Sequence, residues 1–387
     1  MIRRIRLPFL HTKARLIKTE IQSGPRKEGT QALANSVQAS APPHVISAGS
    51  TPQAGYEYIE LKQLVKQQGL LEKQPVYYTF KILLLLGLFL LGVAFLVLVR
   101  PLWLQLLNAV YMAVVTTQFG LLGHDAGHRQ IFRKTWKNDL LGLIIGDLFI
   151  GMSNGWWIGK HNQHHSHPNQ SDLDPDIDIP LLSFTGEDIS QKGRITRFII
   201  KHQAIFFFPL LLFVALDLQR SGVLFLLKTR EKYHMLEVFL LLVHFTAYLG
   251  VLFFFLGIWQ AVLFILVHQT LSGLYLGSIF APNHKGMPLI DKESDMSFLY
   301  RQVVTARNVK AHPVTDFMYG GLNYQIEHHL FPSLPRNRLK AAQRLIKAFC
   351  LEHGIPYYET SVLRSYQEIL QYLHRISVSL PEVHTQG

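Results

Sequence analysis

Four long apolar blocks stand out in the pattern of hydrophobic and polar positions along the chain. Residues 80–99 contain one charged side chain, Lys81, and residues 102–122 contain none. A second pair of blocks covers residues 236–256 and 259–281. Each block is long enough to cross about 30 Å of hydrocarbon, since a helix rises about 1.5 Å per residue. The pattern therefore predicts four membrane-spanning helices.

Very short connections join the blocks in pairs. Only Arg100 and Pro101 separate the first two, and only Gly257 and Ile258 separate the last two. We therefore predict an all-α integral membrane protein with four transmembrane helices in two hairpins. The polar stretches after each hairpin predict interfacial helices and a helical cap on the cytoplasmic side.

Residues 198–218 are apolar but contain Lys201, His202 and Pro209. If this stretch crossed the membrane, it would place the histidine-rich segments before and after it on opposite sides. We therefore expect an amphipathic or re-entrant segment that lies at the membrane interface.

The N-terminal region has a different composition. Residues 1–55 are rich in Ser, Ala, Pro, Gln and Arg, with Glu20 and Glu28 as the only acids. This composition predicts a disordered basic tail, with an organellar transit peptide as the alternative. Residues 56–387 are expected to form one membrane domain that begins with a polar helix over residues 56–77.

A net charge of +12 and an isoelectric point near 9.6 mark a basic chain. The basic residues flank the apolar blocks, as cytoplasmic loops of membrane proteins do, so the charge indicates membrane orientation and anionic lipid rather than nucleic acid. Cys350 is the single cysteine, which excludes an internal disulfide and any cysteine-based zinc or iron–sulfur site.

Three short segments concentrate histidine at helical spacing. HDAGH holds His124 and His128 four residues apart, and HNQHH holds His161, His164 and His165 at i, i+3 and i+4. QIEHH repeats that spacing with Gln325, His328 and His329. Seven histidines without partners at an interface would be costly to desolvate, so a metal site is the better interpretation. Imidazole suits Zn, Cu, Fe or Ni, and the number of histidines favours two ions.

Other residues are candidates for supporting roles. Asp125, Asp139 and Glu327 are candidates to orient the imidazoles, or they are solvated charges. His284 follows the fourth block and is a candidate further ligand, whereas His268 lies sixteen residues earlier, about 24 Å along a helix. We expect His268 and His244 to be hydrogen-bonded packing residues. Trp156 and Trp157 line a substrate mouth or anchor the interface, and His167 is either a rim residue or an outer donor.

The acidic run DLDPDID at residues 172–178 resembles a calcium loop at first sight. Ile177 replaces the glycine that such a loop needs at its sixth position, and Ser183 replaces the glutamate at its twelfth. We therefore expect a polar turn that caps or orients the metal face.

These segments resemble the histidine boxes of the membrane-bound fatty acid desaturase family over roughly residues 80–350. HDAGH is similar to the first box, HNQHH within GWWIGKHNQHHSHPN to the second, and GGLNYQIEHHLFP to the third. The glutamine in the third box is typical of front-end desaturases and their bacterial relatives, which insert a double bond between an existing one and the carboxyl end.

The resemblance implies a non-haem di-iron centre that uses dioxygen and two electrons to desaturate an acyl chain. It assigns iron ligands to His124, His128, His161, His164, His165, His328 and His329. His284 resembles the extra histidine of the family, and Gln325 would bind only weakly or through water. The asparagine ligand of some relatives corresponds here to Phe280, with Asn283 nearby.

The resemblance also implies partners and a location. The substrate would be an acyl chain on lipid, coenzyme A or carrier protein, and the histidine boxes would face the cytoplasm, with a bacterial plasma membrane expected. Because the His-Pro-Gly-Gly signature of a fused cytochrome domain is missing from the sequence, we expect a separate donor such as ferredoxin with its reductase. Arg336, Arg338 and Lys340 are its expected docking residues. An acyl hydroxylase on the same scaffold and a non-catalytic metal protein stay as alternatives.

Overall fold

The computed structural model describes residues 53–186 and 189–380, so the predicted tail at residues 1–55 lies almost entirely outside the described residues. The described chain is mostly helical, which confirms the all-α class apart from one two-residue parallel pairing of strands. Its elements are, in chain order, α1 (Gln53–Gln67), α2 (Pro75–Leu98), α3 (Leu102–Gly127), α4 (Thr135–Leu143), a π-helix (Ile144–Ile150), α5 (Asn154–Ser166), α6 (Arg194–Lys201), α7 (Gln203–Leu211), α8 (Val214–Lys228), α9 (His234–Leu256), α10 (Ile258–His284), α11 (Phe298–Val304), β1 (Asn308–Val309), α12 (Pro313–Met318), α13 (Gln325–Leu330), a 3₁₀ turn (Arg336–Arg338), α14 (Leu339–Glu352), β2 (Glu359–Thr360) and α15 (Val362–Ser379).

Four of these helices, α2, α3, α9 and α10, are long and apolar enough to cross a membrane. They cover the four predicted blocks except Val99, which follows the end of α2. Helix α2 begins at Pro75 rather than at residue 80, because proline suits the first turn of a helix. Helix α3 continues beyond residue 122 to Gly127, so most of the first histidine box is the last turn of a long helix. The arrangement of these helices as two membrane hairpins stays a prediction.

Polar side chains hold α2 against α3 inside the apolar region. Asn108 donates to the carbonyl of Gly92 at 3.0 Å, and Gln105 donates to the carbonyl of Val99 at 2.6 Å. The two helices approach closely at Gly92, where a Cβ atom would lie 2.3 Å from the sulfur of Met112. These contacts satisfy the amides without water, as an apolar environment requires.

Two further apolar segments are bent. The run Thr135–Ile150 meets α5 at 113°, and α7 meets α8 at 71°. The second bend covers much of residues 198–218 and agrees with the expected re-entrant or interfacial segment, whose position in a membrane stays a prediction. The first bend was not predicted, since only interfacial helices and a polar cap were expected after the first hairpin.

The predicted lead-in helix at residues 56–77 is wrong in its second half. Helix α1 ends at Gln67, and Gly69 follows with a left-handed φ of +64° that breaks the helix. Tyr77 belongs instead to α2. Helix α1 packs with α11, α13 and α14 around a buried core that includes Leu61, Val303 and Ile326. This packing holds the third histidine box in place.

Candidate metal centre

Eight histidines from four parts of the chain converge in two groups. The first group brings five imidazoles together, with one nitrogen of each within 4.8 Å of the others; its members are His124, His128, His161, His165 and His328. The second group contains His164, His284 and His329 within the same limit. The predicted convergence therefore occurs in the structure, where His164 also forms a third group with Asp174 and Asp176, and the binding of two metal ions stays a prediction.

The first group is centred on His161. Its Nε2 lies 2.9 Å from Nε2 of His128, and 3.1 Å from Nε2 of both His124 and His165. The ring of His328 closes the group, with its centroid 4.7 Å from the rings of His124 and His128. The first, second and third boxes all contribute to this group.

The second group adjoins the first. Nε2 of His284 lies 3.0 Å from Nε2 of His329, and the ring of His164 lies 4.6 Å from that of His284. The rings of His165 and His329 stack between the groups at 4.2 Å. The second and third boxes each contribute to both groups, because His164 and His165 belong to different groups, as do His328 and His329, whereas the first box contributes only to the first group.

In each imidazole of the second group, a hydrogen-bond acceptor fixes the hydrogen on Nδ1. His284 Nδ1 lies 3.0 Å from the carbonyl oxygen of Thr305, which only accepts, so Nδ1 donates. His164 Nδ1 donates to Asp174 at 3.0 Å, and His329 Nδ1 donates to the amide oxygen of Gln302 at 2.8 Å. The opposite nitrogens of His284 and His329, whose pKa values burial lowers well below the ordinary range, therefore carry lone pairs, and His164 offers a third while its ring is neutral.

Burial keeps these rings neutral. Desolvation lowers the pKa of His128 and of His329 well below the ordinary range, and neighbouring histidines lower it further. His328 is only 1% exposed, and neither of its ring nitrogens has a hydrogen-bond partner in the described part of the chain. Buried orphan nitrogens and converging lone pairs are what a cation-binding site needs. The residues present therefore fit two metal ions.

His164 differs from these histidines in the direction in which its pKa is shifted. Burial lowers its pKa, but the carboxylates of Asp176 and Asp174 outweigh burial and raise the pKa overall. Asp174 also accepts from the backbone N–H of Asn169 and of Asp176, at 2.7 Å and 2.9 Å, so its carboxylate is held in place. The acidic turn at residues 172–178 orients one imidazole of the site, as the sequence predicted for that turn.

Two supporting residues were missed at the sequence level. Asp174 was recognised only as part of the acidic turn, although its alternation with Asp172 and Asp176 was the available signal. Gln302 accepts from His329 and donates to the carbonyl of His165 at 2.9 Å, which connects the second and third boxes. No local motif marks Gln302, because both contacts are long-range.

The three acids predicted to orient imidazoles lie in different settings. Asp125 Oδ1 is 3.9 Å from His124 Nδ1, while Oδ2 forms a buried ion pair with Arg336 at 2.9 Å. Glu327 accepts from Asn308 at 2.6 Å and from Tyr357 at 2.7 Å, and burial raises its pKa to about 7. It anchors the third box to β1 rather than to a histidine.

Asp139 is half-exposed on the wall of a surface cleft, and within the described residues no hydrogen bond joins it to a histidine of either group. The cleft has a volume of about 1100 Å³ and reaches His128. Trp156 lines this cleft, whereas Trp157 stacks on His161 with ring centroids 4.6 Å apart. The two tryptophans therefore face different environments.

Helix α5 carries the second box in a fixed orientation. Ser153 caps its first turn by accepting from the backbone N–H of Trp156 at 3.1 Å. The buried carboxylate of Glu237 on α9 accepts from Ser153 Oγ at 2.6 Å and from the N–H of Gly155 at 3.2 Å. The second box is thus tied to a candidate membrane span.

Gln325 lies beside the second group. Its Nε2 is 2.9 Å from His284 Nε2, and its Oε1 accepts from Nδ2 of Asn283 at 3.0 Å. Asn283 and Gln325 are 0% and 4% exposed, so bulk water does not compete for these contacts. Gln325 is thus near the metal group, as predicted, but its amide nitrogen rather than its oxygen faces it.

A mostly apolar cavity of about 390 Å³ lies between the candidate spans. Side chains of α2, α3, α9 and α10 line it, together with the π-helix and α8, and Gly120 belongs to its wall. Gly120 lies four residues before His124 on α3, about 6 Å along the helix axis, although none of the eight grouped histidines lines the cavity. His244 and His268 line the cavity and belong to neither histidine group. His268 bonds with Thr116 and Tyr248, and His244 with the carbonyl of Leu148, as expected of packing residues.

A family model and individual known proteins similar to this chain carry related names. The family model described as "Fatty acid desaturase" matches residues 101–361. The chain is 31% identical over 350 residues to an "Acyl-lipid (9-3)-desaturase" of Physcomitrium patens, covering 86% of this chain and 65% of that protein. It is 30% identical to a "Delta(6)-fatty-acid desaturase" of Caenorhabditis elegans, covering 82% of this chain and 74% of the relative. A "Delta(8)-fatty-acid desaturase" of Euglena gracilis is 31% identical, with coverages of 79% and 75%.

Proposed function

This chain belongs to the fatty acid desaturase family, and we propose that it inserts a double bond into a membrane acyl chain at two iron ions held by its histidines. The observation that carries this proposal is the pair of adjoining imidazole groups beside an apolar cavity. Dioxygen and two electrons would be consumed. The relatives named above support a front-end position for the new double bond, on the carboxyl side of an existing one.

In this proposal the two groups are the two iron positions. His124, His128, His161, His165 and His328 hold one ion, and His164, His284 and His329 hold the other. Bound iron would supply the oxidising power, because a methylene offers no acidic proton to a general base. The protein's own contribution is orientation: hydrogen bonds from Nδ1 to Asp174, Thr305 and Gln302 aim the opposite nitrogens at one point.

The acyl chain is proposed to enter the apolar cavity between the spans. The cavity walls are mostly apolar, which suits an acyl chain, and Gly120 adds no side chain to the wall on the helix that carries His124. The name of the moss relative favours an acyl chain carried on lipid. Trp157, stacked on His161, is proposed to line the path between the cavity and the iron, with Trp156 at the outer cleft.

The four apolar helices and the family indicate a membrane protein. We propose that the histidine groups face the cytoplasm, because the flanking segments are basic. The prediction of a bacterial plasma membrane gains no support from the relatives, since the moss, the nematode and the euglenoid are eukaryotes.

The proposal is tested by the fatty acid profile of a host that lacks polyunsaturated chains, fed with oleate and linoleate. Expression of the intact protein should yield a new double bond on the carboxyl side of an existing one, located by mass spectrometry. His164→Ala and His328→Ala should each abolish the product and lower bound iron while the protein still inserts into the membrane. His374→Ala, which changes an exposed histidine on α15, is the matched control. A product with one added oxygen would identify a hydroxylase instead, and full activity of His164→Ala would exclude the iron assignment.

A separate electron donor, such as ferredoxin with its reductase, is part of the proposal. The predicted docking surface needs one correction, because Arg336 is buried and paired with Asp125. Arg338 is half-buried and Lys340 is exposed, so these two residues keep the proposed role.

The docking role is tested by charge reversal. Arg338→Glu combined with Lys340→Glu should slow electron delivery from an acidic donor while bound iron stays constant, because neither residue belongs to the histidine groups. Arg220→Glu, an exposed site on α8 with a 69% exposed side chain, is the control. Normal coupling in the double variant, measured as product formed per reductant consumed, would place the donor elsewhere.

A further inference from the structure

We infer that Gln325 donates a hydrogen bond to a small molecule, one with a lone pair or a negative charge, that binds beside the metal ion of the second group. We further infer that Asn283 positions the amide of Gln325 for this role. The inference rests on the proposed function, because it requires iron at the group formed by His164, His284 and His329. It differs from a ligand role, in which the amide oxygen of Gln325 would bind the metal.

The orientation of both amides follows from one backbone carbonyl. The oxygen of Ile279 can only accept, and Asn283 Nδ2 lies 3.3 Å from it. The same NH₂ group has a second hydrogen, which it donates to Gln325 Oε1 at 3.0 Å. The oxygen of Gln325 is therefore directed toward Asn283, and its NH₂ group faces His284.

Reversal of the pair is unfavourable. If both amides turned over, Asn283 would direct its oxygen at the carbonyl of Ile279, and two acceptors would face each other. Both side chains are buried, so water does not relieve that contact. The amide nitrogen of Gln325 has no lone pair available for a metal, which excludes it as a ligand in this orientation.

Iron at this position would change what Gln325 can reach. His284 donates from Nδ1 to Thr305, so Nε2 carries the lone pair that an ion would take. The N–H of Gln325, 2.9 Å from that nitrogen, would lose its acceptor and point at the space beside the ion. A molecule bound there with a lone pair or negative charge would accept this hydrogen bond. Histidine at position 325 would instead offer a further ligand nitrogen.

The test uses purified, iron-loaded, oxidised protein and azide as the probe, with no turnover. Gln325→Leu should keep the iron content of the unaltered protein, but its azide affinity should fall about tenfold or more, because a hydrogen bond to a charged acceptor is lost. Azide binding is read from the absorption of the iron complex. Gln371→Leu, which changes an exposed glutamine on α15, is the matched control.

Two further variants separate positioning from packing. Gln325→Glu keeps the side-chain shape and accepts from Asn283, so iron should be retained while azide binding weakens. Asn283→Asp should attract the NH₂ of Gln325 and turn its oxygen toward the metal, again weakening azide binding. Combining Asn283→Asp with Gln325→Leu should weaken it no further than Gln325→Leu alone, since Asn283 acts through Gln325.

The outcomes are distinct. Loss of iron in Gln325→Leu would show that Gln325 is a ligand, and an unchanged azide affinity would show that it has no contact with the bound molecule. Additive losses in the double variant would assign Asn283 a purely structural role. If the unaltered protein bound no iron, the proposed function itself would fail, and this inference would fail with it.

Discussion

The hydrogen on each imidazole decides what a histidine can do at this centre. In the second group, an acceptor of fixed identity holds Nδ1–H of all three rings, so the opposite nitrogens are committed to one point. Asp174 is the acceptor whose position is fixed most firmly, because its carboxylate accepts from two backbone N–H groups. In the proposed centre, single acceptors outside the ligand set would therefore orient the rings that hold the metal.

Asp174→Ala should lower iron affinity at the second group about 10- to 100-fold, the usual effect of removing an outer partner of a ligand histidine. The measurement is iron retained during titration with a chelator. Asp178→Ala removes an exposed acid from the same turn and is the control. Equal iron retention in both variants would contradict a role for Asp174 in orienting His164.

The residues within a box were predictable because helical spacing is local. His161, His164 and His165 share a face by spacing alone, and His284 was placed correctly by its distance from the fourth apolar block. The partners of these rings were not predictable in the same way. Gln302 meets His329 and Asp174 meets His164 only after the chain has folded, and the nearest acid in sequence, Glu327, bonds to Tyr357 instead.

A few buried polar contacts join the helices and turns that carry the histidine boxes. Asp125 at the end of α3 pairs with Arg336 of the 3₁₀ turn, and Arg336 also donates to the carbonyl of Leu121. Gly320 and Gly321 pack against the same arginine, where a Cβ atom would lie within 3.0 Å of its side chain. The first box is thus locked to the segment that carries the third.

Arg336→Met should destabilise the protein by about 3–5 kcal/mol, because it leaves the carboxylate of Asp125 buried without its partner. Thermal unfolding in detergent measures the loss. Adding Asp125→Asn should recover part of it, since the uncompensated charge disappears. Arg338→Met, a half-buried neighbour, should leave the midpoint nearly unchanged. If the double variant were less stable than Arg336→Met, the ion pair would not be the cause.

The apolar blocks made the long helices predictable, because composition over twenty residues decides whether a helix tolerates lipid. The bends were harder. The 113° turn between the π-helix and α5 depends on Gly151, with a φ of +79°, packed against His244 of α9. That packing is a tertiary contact, and sequence pattern alone does not reveal it.

At the scale of the whole molecule, an apolar cavity and a polar metal centre share helix α3. Gly120 forms the wall where they approach, and a Cβ atom there would meet Ile150 at 3.6 Å and Leu276 at 3.8 Å, which is ordinary contact. The position therefore accepts a methyl group, and a large side chain there would take up space in the cavity.

Gly120→Phe should abolish activity on long acyl chains while bound iron stays constant, because it obstructs the cavity without touching a ligand. Gly120→Ala should retain most activity. Gly250→Phe, at a position where an added Cβ atom meets nothing, is the control for an added aromatic ring. Product profiles with acyl chains of increasing length measure the effect. Unchanged use of long chains by Gly120→Phe would place the substrate outside this cavity.

The converging imidazoles also affect how long the protein persists in a cell, and therefore its abundance. Lone pairs directed at one point repel each other until a cation joins them, so the proposed iron would stabilise the fold as well as serve the chemistry. Chains made during iron starvation should open more often and be degraded sooner. The lipid composition of the cell would then follow its nutrition in iron through protein lifetime, even with transcription unchanged.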